Sequence, residues 1–371
     1  MVADIKLVMD YTKMLNELLQ VAVKNKASDV HLKADSRPFL RMKGKLVPCG
    51  AALPAKVVRG LIFSMMEVEQ TDYLLKYKEI DFAYRPVKGG TKYRVNAYTA
   101  QGEIEAVMRV IESVVKTTDE LRLPPMINKM ATLKDGLILV AGSTGSGKST
   151  TLAALIDYVN KRQEKRIITI ENPVEVMHTD VKSVISQREV GGDTDSFAAA
   201  LRSVLRQNPD IILIGEIRDK ETADSALQAA QTGHLVFSTI HAGTAEETIK
   251  RFANLYPAEE RAEVKKTLAY SLKGIIVQRL MNDLEDKKLP ILEIMTSSDR
   301  LSQSLLTDAE GNEGENITKI ISESDINGMI TMDQYLINLV IANVIDVQMA
   351  LTEAVNALTM RQNLHRRGLI K

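Results

Sequence analysis

Gly136-Leu-Ile-Leu-Val-Ala141-Gly142-Ser143-Thr144-Gly145-Ser146-Gly147-Lys148-Ser149-Thr150-Thr151 is the stretch from which the fold is read. The apolar run 136–141 reads as a buried strand, and Leu152-Ala-Ala-Leu-Ile after the loop reads as a helix. The glycine-bounded segment between them matches G-x-x-x-x-G-K-[ST] in full. Small residues let backbone N–H groups turn inward around phosphates, and a helix starting near Gly147 points its positive end at them. Ser143, Thr144, Gly145, Ser146, Gly147, Lys148, Ser149 and Thr150 are therefore expected to cradle a nucleoside triphosphate. Lys148 is placed to reach the β- and γ-phosphates, and the Ser149 hydroxyl to ligate Mg²⁺.

Outward from this loop the apolar runs Arg166–Ile170, Ile211–Ile214 and Leu235–Thr239 alternate with helical stretches. That alternation predicts a parallel sheet covered on both faces. Ligands of such sheets lie off the carboxyl ends of the strands. Two of the runs end in acids there, as Ile170-Glu171-Asn-Pro-Val-Glu175 and Gly215-Glu216-Ile-Arg218-Asp219. Glu216 is the candidate to polarise an attacking water, and Glu171 to hold Mg²⁺ directly or through its water shell. His241, past the end of Leu235–Thr239, falls within reach of a γ-phosphate, whereas His234 precedes that strand and reads as structural or as coupled to a neighbouring subunit. After about residue 290 the chain reads as helical, with a polar tail over Arg361–Lys371.

The first hundred residues have a different grain, that of a small α+β unit. Helical spacing of Met14, Leu15, Leu18, Leu19 and Ala22 marks residues 11–26, and Leu53–Met66 is a second helix opened by Pro54. Short strands are expected at Asp29–Lys33, Phe39–Met42 and Lys45–Val47. Lys88–Thr91 reads as a turn between two strands. Tyr93–Thr99 and Glu103–Ile111 alternate, with Arg94 and Asn96 opposite Tyr93, Val95 and Ala97, and with Arg109 on the face of Val107 and Ile111. The expected organisation is a domain over residues 1–111, a linker at 112–118 inside the polar stretch Glu112–Asp119, and a nucleotide-binding domain over residues 119–371.

Composition narrows the function classes. Lys and Arg number 48 against 48 Asp and Glu, so the chain is not a globally basic nucleic-acid binder. A single cysteine, Cys49, excludes an intrachain disulfide and a tetracysteine zinc site. No apolar run reaches the ~18 residues that a spanning helix needs. Acidic residues interrupt the first apolar stretch, which therefore does not read as a secretory signal. A cytoplasmic location is expected, with membrane contact made through partners.

Taken in order, these motifs resemble those of the type II/type IV secretion ATPases, and within them most resemble the type IV pilus retraction branch. Ala27-Ser28-Asp29-Val-His31-Leu is similar to the family's opening strand, and Tyr93-Arg94-Val95-Asn96-Ala97 to its first arginine motif. Thr144–Thr151, Ile170–Glu175, Arg206–Asp219 and Thr232-Gly-His-Leu-Val-Phe237 resemble its Walker A, Asp box, Walker B and His box. Gly328-Met-Ile-Thr-Met-Asp-Gln334 resembles a signature of the retraction branch. The resemblance implies an α/β chain with an N-terminal PAS-like α+β domain and a C-terminal RecA-like P-loop domain carrying a helical extension. It implies ATP with Mg²⁺ between the two, a homo-hexameric ring, and Arg94 and Arg109 reaching the phosphates. It also implies an inner-membrane pilus platform protein as partner, at which the cytoplasmic ring works to retract the pilus. A DNA-translocating motor is the remoter expectation. The departures are Asn172 where the family usually has Asp, Ser143 where Pro is common, Gly215 where Walker B usually has Asp, and Thr318-Lys319 where the retraction branch usually has Arg-Asn. They leave room for an accessory pilus ATPase, or a type IVB secretion or conjugation ATPase, working beside a companion motor.

Overall fold

The computed structural model describes residues 2–86, 90–111, 115–324 and 328–370, with side chains from residue 10 onward. The chain has a mixed α/β fold and divides into two compact units, Met1–Val114 with Glu175–Met177, and the remainder. Part of the expected turn at Lys88–Thr91 and the start of the expected linker, residues 112–114, lie outside the described residues.

The first unit is built on an antiparallel sheet of β1 (Asp29–Leu32), β2 (Phe39–Met42), β3 (Lys45–Pro48), β4 (Glu79–Tyr84), β5 (Lys92–Ala100) and β6 (Glu103–Ile111). Its order is β3-β2-β1-β6-β5-β4. Strand alternation puts Val30, Leu32, Tyr93, Val95, Ala97, Ile104, Ala106 and Met108 on the buried face. The helix Val2–Lys24 adds Leu15, Leu19 and Ala22 to this core, and the helix Ala55–Phe63 adds Val58, Leu61 and Ile62. That second helix is shorter than expected. Pro54 stands at its N-cap rather than within its first turn, a position where, as in that turn, no intrahelical N–H bond is owed.

The second unit is built on β7 (Gly136–Ala141), β8 (Arg166–Glu171), β9 (Val184–Glu189), β10 (Ile211–Ile214), β11 (Leu235–Ile240), β12 (Leu272–Asn282) and β13 (Lys288–Thr296). Their order is β13-β12-β7-β11-β10-β8-β9. All neighbours are parallel except β12 and β13. The central strands are buried along their whole length, as strands packed on both faces must be.

Two expectations are corrected here. The chain is not helical from about residue 290: β13 runs to Thr296, and the next helix is Asp299–Ala309. The run Leu289-Pro-Ile-Leu-Glu-Ile-Met is apolar without a helical period, and Pro290 is tolerated because β13 is the edge strand of the sheet, bridged on its outer side at Ile294 by Ile330 and not at Pro290. Nor is Arg361–Lys371 simply a polar tail. The helix Ala357–Arg366 covers most of it and anchors itself through buried Met360 and Leu364.

Candidate active site

Register places the site. In the parallel core Ile170 lies beside Ile214, Ile214 beside Ser238, and Ile240 beside Ala141, so the strands end at a common edge. From that edge emerge the loop 142–147 after β7, Glu171 at the end of β8, Glu216 just past β10 and His241 just past β11.

The loop leads directly into the helix Lys148–Asn160, with Gly147 as its N-cap in the left-handed region at φ 90°. A β-carbon at Gly147 would sit 2.7 Å from Gln278 Nε2, so glycine is required by both torsion and space. Lys148 is buried, and its ammonium donates to Gly142 O at 3.0 Å and Ser143 O at 2.9 Å. Ser146 Oγ is buried without a hydrogen-bond partner. An orphaned hydroxyl and a buried ammonium held by carbonyls at a helix N-terminus fit an anion with several oxygens. Ser149 and Thr150 are exposed in the first helical turn, where a hydroxyl can meet a hard cation shared with phosphate oxygens.

Glu171 Oε1 accepts from Thr169 Oγ1 at 2.6 Å and from Gln187 Nε2 at 3.1 Å, which fixes the carboxylate at the strand end. Gly215 passes so close to that end that an added β-carbon would lie 3.3 Å from Ile170 O and 3.4 Å from Glu171 Cα. A side chain there is a tight fit, with Phe197 also 3.3 Å from the added carbon. Next to it, Glu216 pairs with Arg218 Nε at 2.5 Å. Among the described residues, no cluster of three or more His, Cys, Asp or Glu could hold a metal ion by itself. A Mg²⁺ site would thus draw on Ser149 and Glu171 together with the substrate's own oxygens and water.

His241 is the electrostatic meeting point. Burial, followed by the Lys148 charge, lowers its pKa; Arg218 and Arg251 act the same way, and Glu216 opposes them. The imidazole is thus held in its neutral form at neutral pH. His234 has a local role: its Nδ1 lies 3.0 Å from Ala229 O and 3.1 Å from Thr232 Oγ1, at the end of the helix Lys220–Gln231.

Sequence reasoning missed several participants. A cavity of about 430 Å³ opens beside Gly142–Thr144 and is lined also by His241, Arg251, Gln278 and Arg279. The strand that carries Gln278 and Arg279 was not expected, and no local motif marks them. Only the β12–β7 register, Val277 beside Ala141, brings them to the loop.

Arg94 and Arg109 belong to the first unit. They face each other directly across β5 and β6, and the same row continues through Asp29 on β1 to Arg41 on β2. Arg109 Nε donates to Asp29 Oδ1 at 3.0 Å, while Arg94 lies 3.7 Å from Asp81. Burial pushes the Asp29 carboxyl up, but hydrogen bonds from Ser28 and Arg109 and the Arg109 charge outweigh it, so its pKa is lowered.

The model of the family described as type II/IV secretion system protein matches residues 8–363. The type IV pilus retraction ATPase PilT of Pseudomonas aeruginosa is 39% identical over 341 residues, covering 92% of this chain and 98% of that protein. A twitching motility protein of Neisseria gonorrhoeae is 37% identical, covering 87% and 86%. Among solved structures, that of the pilus retraction motor PilT with bound ADP superposes with a TM-score of 0.84 at 34% identity, covering 93% of this chain and 98% of that one.

Proposed function

The chain belongs to the type II/IV secretion system protein family, and from that premise we propose that it is an ATP-hydrolysing ring motor that retracts a type IV pilus. The observation that carries this reading is the common strand edge. There a complete triphosphate loop, two carboxylates and a neutral histidine converge, in a chain similar almost end to end to retraction ATPases.

In this reading ATP lies along the loop 142–147, with Mg²⁺ held by Ser149 and, directly or through water, by Glu171. Glu216 orients and deprotonates water, and His241, neutral, hydrogen-bonds the phosphate being transferred. The strand order of the first unit, with β1 between β2 and β6, supports a PAS-like domain. In the second unit a single strand, β11, separates the phosphate-loop strand from the acid-bearing β10, which supports a RecA-like domain. Six copies would form the ring, cytoplasmic and held at the inner membrane through a pilus platform protein. Among the described residues no helix is long and apolar enough to cross a membrane. The departing pair Thr318 and Lys319 is exposed on the helix Ile317–Ser322, whose Ile317, Ile320 and Ile321 are buried. The departure thus alters a surface and leaves the packing intact.

Arg94 and Arg109 are proposed to supply guanidinium charge to the phosphates. They stand directly opposite each other, Arg109 paired with Asp29 and Arg94 near Asp81, so the two guanidinium groups together offer donors that a phosphate can bridge. Arg94→Ala is therefore expected to lower ATP turnover at least about tenfold while changing stability by less than about 0.5 kcal/mol. Steady-state ATPase rates and urea unfolding check both, and an unchanged rate removes Arg94 from the site.

The direction of work is read from pili. A strain lacking the gene is expected to carry excess surface pili and to lose twitching. Bare cells would mean assembly instead.

A further inference from the structure

Gln278 is a polar side chain in the middle of the apolar strand β12 and is only 2% exposed. A buried amide must find partners for its donor and its acceptor. Both partners lie on the nucleotide loop and its helix: Gln278 Nε2 donates to Ser146 O at 2.7 Å, and Thr151 Oγ1 donates to Gln278 Oε1 at 2.7 Å. The orientation of the amide is forced, because a carbonyl such as Ser146 O only accepts. The same Nε2 fills the space where a β-carbon of residue 147 would go.

We infer that Gln278 is a positioning residue for nucleotide binding: by holding Ser146 O inward against β12, it aims the Gly147 N–H the other way, at the phosphates. The reason is the planarity of the peptide. In a trans peptide, C=O and N–H point in opposite directions, so a carbonyl fixed on one side fixes the N–H on the other. The peptide 146–147 joins a glycine at φ 90°, where the backbone would otherwise rotate with little resistance. Without the clamp, this donor would have to be oriented each time a nucleotide binds. With it, the donor is set beforehand, and the cost of ordering is met in folding. The inference rests on the nucleotide reading of the loop and adds to it a group from a strand 127 residues beyond Thr151.

The N–H so positioned contacts phosphate both before and during hydrolysis, so its loss weakens binding more than it slows chemistry. In the full-length protein with Mg²⁺, Gln278→Leu is expected to weaken ADP binding about tenfold or more. KM for ATP should rise in parallel, and kcat at saturation should stay within about threefold. Gln278→Met keeps the length of the side chain but has no donor for Ser146 O. It should weaken ADP binding as well, and it decides the question if the leucine variant does not fold. Thr151→Val removes the other bond and leaves the Ser146 clamp, so its ADP affinity should stay within about threefold of the wild type. The unfolding midpoint without nucleotide serves as the control for general damage. The role of Gln278 is overturned if both Gln278 variants bind ADP like the wild type, if kcat falls as much as KM rises, or if Thr151→Val weakens ADP equally. A wild-type protein that fails to bind ADP overturns instead the nucleotide reading itself.

Discussion

With Lys148 replaced by alanine, the protein is expected to fold and to lose ATP hydrolysis at least about a hundredfold in kcat/KM. The side chain is buried, and its ammonium rests on the carbonyls of Gly142 and Ser143. These are partners that a phosphate can replace at small cost, since the amine exchanges neutral acceptors for charged ones. Charge-assisted hydrogen bonds are roughly twice as strong as neutral ones, so the exchange favours the nucleotide. Folding depends less on the residue. The ammonium pays for its burial with those same two bonds, so its removal also removes a desolvation cost. The two consequences separate in one measurement. ADP with Mg²⁺ should raise the unfolding temperature of the wild-type protein, as any ligand of the native state does, and should leave that of Lys148→Ala almost unmoved. A variant that keeps its ligand-induced shift and its turnover would remove the loop 142–149 from the chemistry, and the motor reading with it.

The features legible in the sequence were those written locally. The loop 142–149 carries its own chemistry in consecutive residues, and the strands around it are uninterrupted apolar runs, so site and sheet could be read together. Glu171, Glu216 and His241 were legible for the same reason: each stands within two residues of the end of such a run. Partners contributed by distant chain were not legible. β12 and β13 form a hairpin that carries no phosphate motif, and the short run beyond residue 290 leads into a succession of helices, so the whole of that chain was read as helix. Gln278 and Arg279 went unnoticed with it. Their place beside the loop is a matter of register, and register is decided by which strand pairs with β7. In the first unit the alternation of β5 and β6 was plain. The opposition of Arg94 to Arg109, and of Arg109 to Asp29, depends on turn lengths that fix the pairing and on a third strand some eighty residues earlier. The tail was misread because Met360 and Leu364 were too few to outweigh its charged neighbours, yet two buried side chains one turn apart suffice to seat a helix.

Glu216→Gln is expected to separate binding from chemistry in the direction opposite to Gln278. The substitution keeps size and shape, and the backbone around it is too firmly held to shift. Ser238 Oγ donates to Ile214 O at 2.9 Å, Thr239 Oγ1 to Gly215 O at 2.7 Å, and the Ile217 N–H to Thr239 O at 3.0 Å. An amide in place of the carboxylate cannot take a proton from water, and general-base catalysis of this kind contributes about 10²- to 10⁴-fold. kcat should therefore fall by about that factor, while ADP affinity stays within a few-fold, because the loop and Lys148 are untouched. Arg218 does not change this expectation. It pairs with Glu216 at 2.5 Å, yet its side chain is 71% exposed and can leave for solvent when the site fills. Glu171 provides the internal control. Its carboxylate is already committed to Thr169 and Gln187, as suits a group that holds a metal's water shell more than one that moves a proton. Glu171→Gln should accordingly raise the Mg²⁺ concentration needed for half-maximal activity, a dependence that Glu216→Gln should leave unchanged. If the two variants exchange these signatures, the base lies on β8 and the metal ligand beyond β10. If Glu216→Gln loses ADP binding together with turnover, Glu216 is part of the scaffold, and the water must be activated from elsewhere along the strand edge.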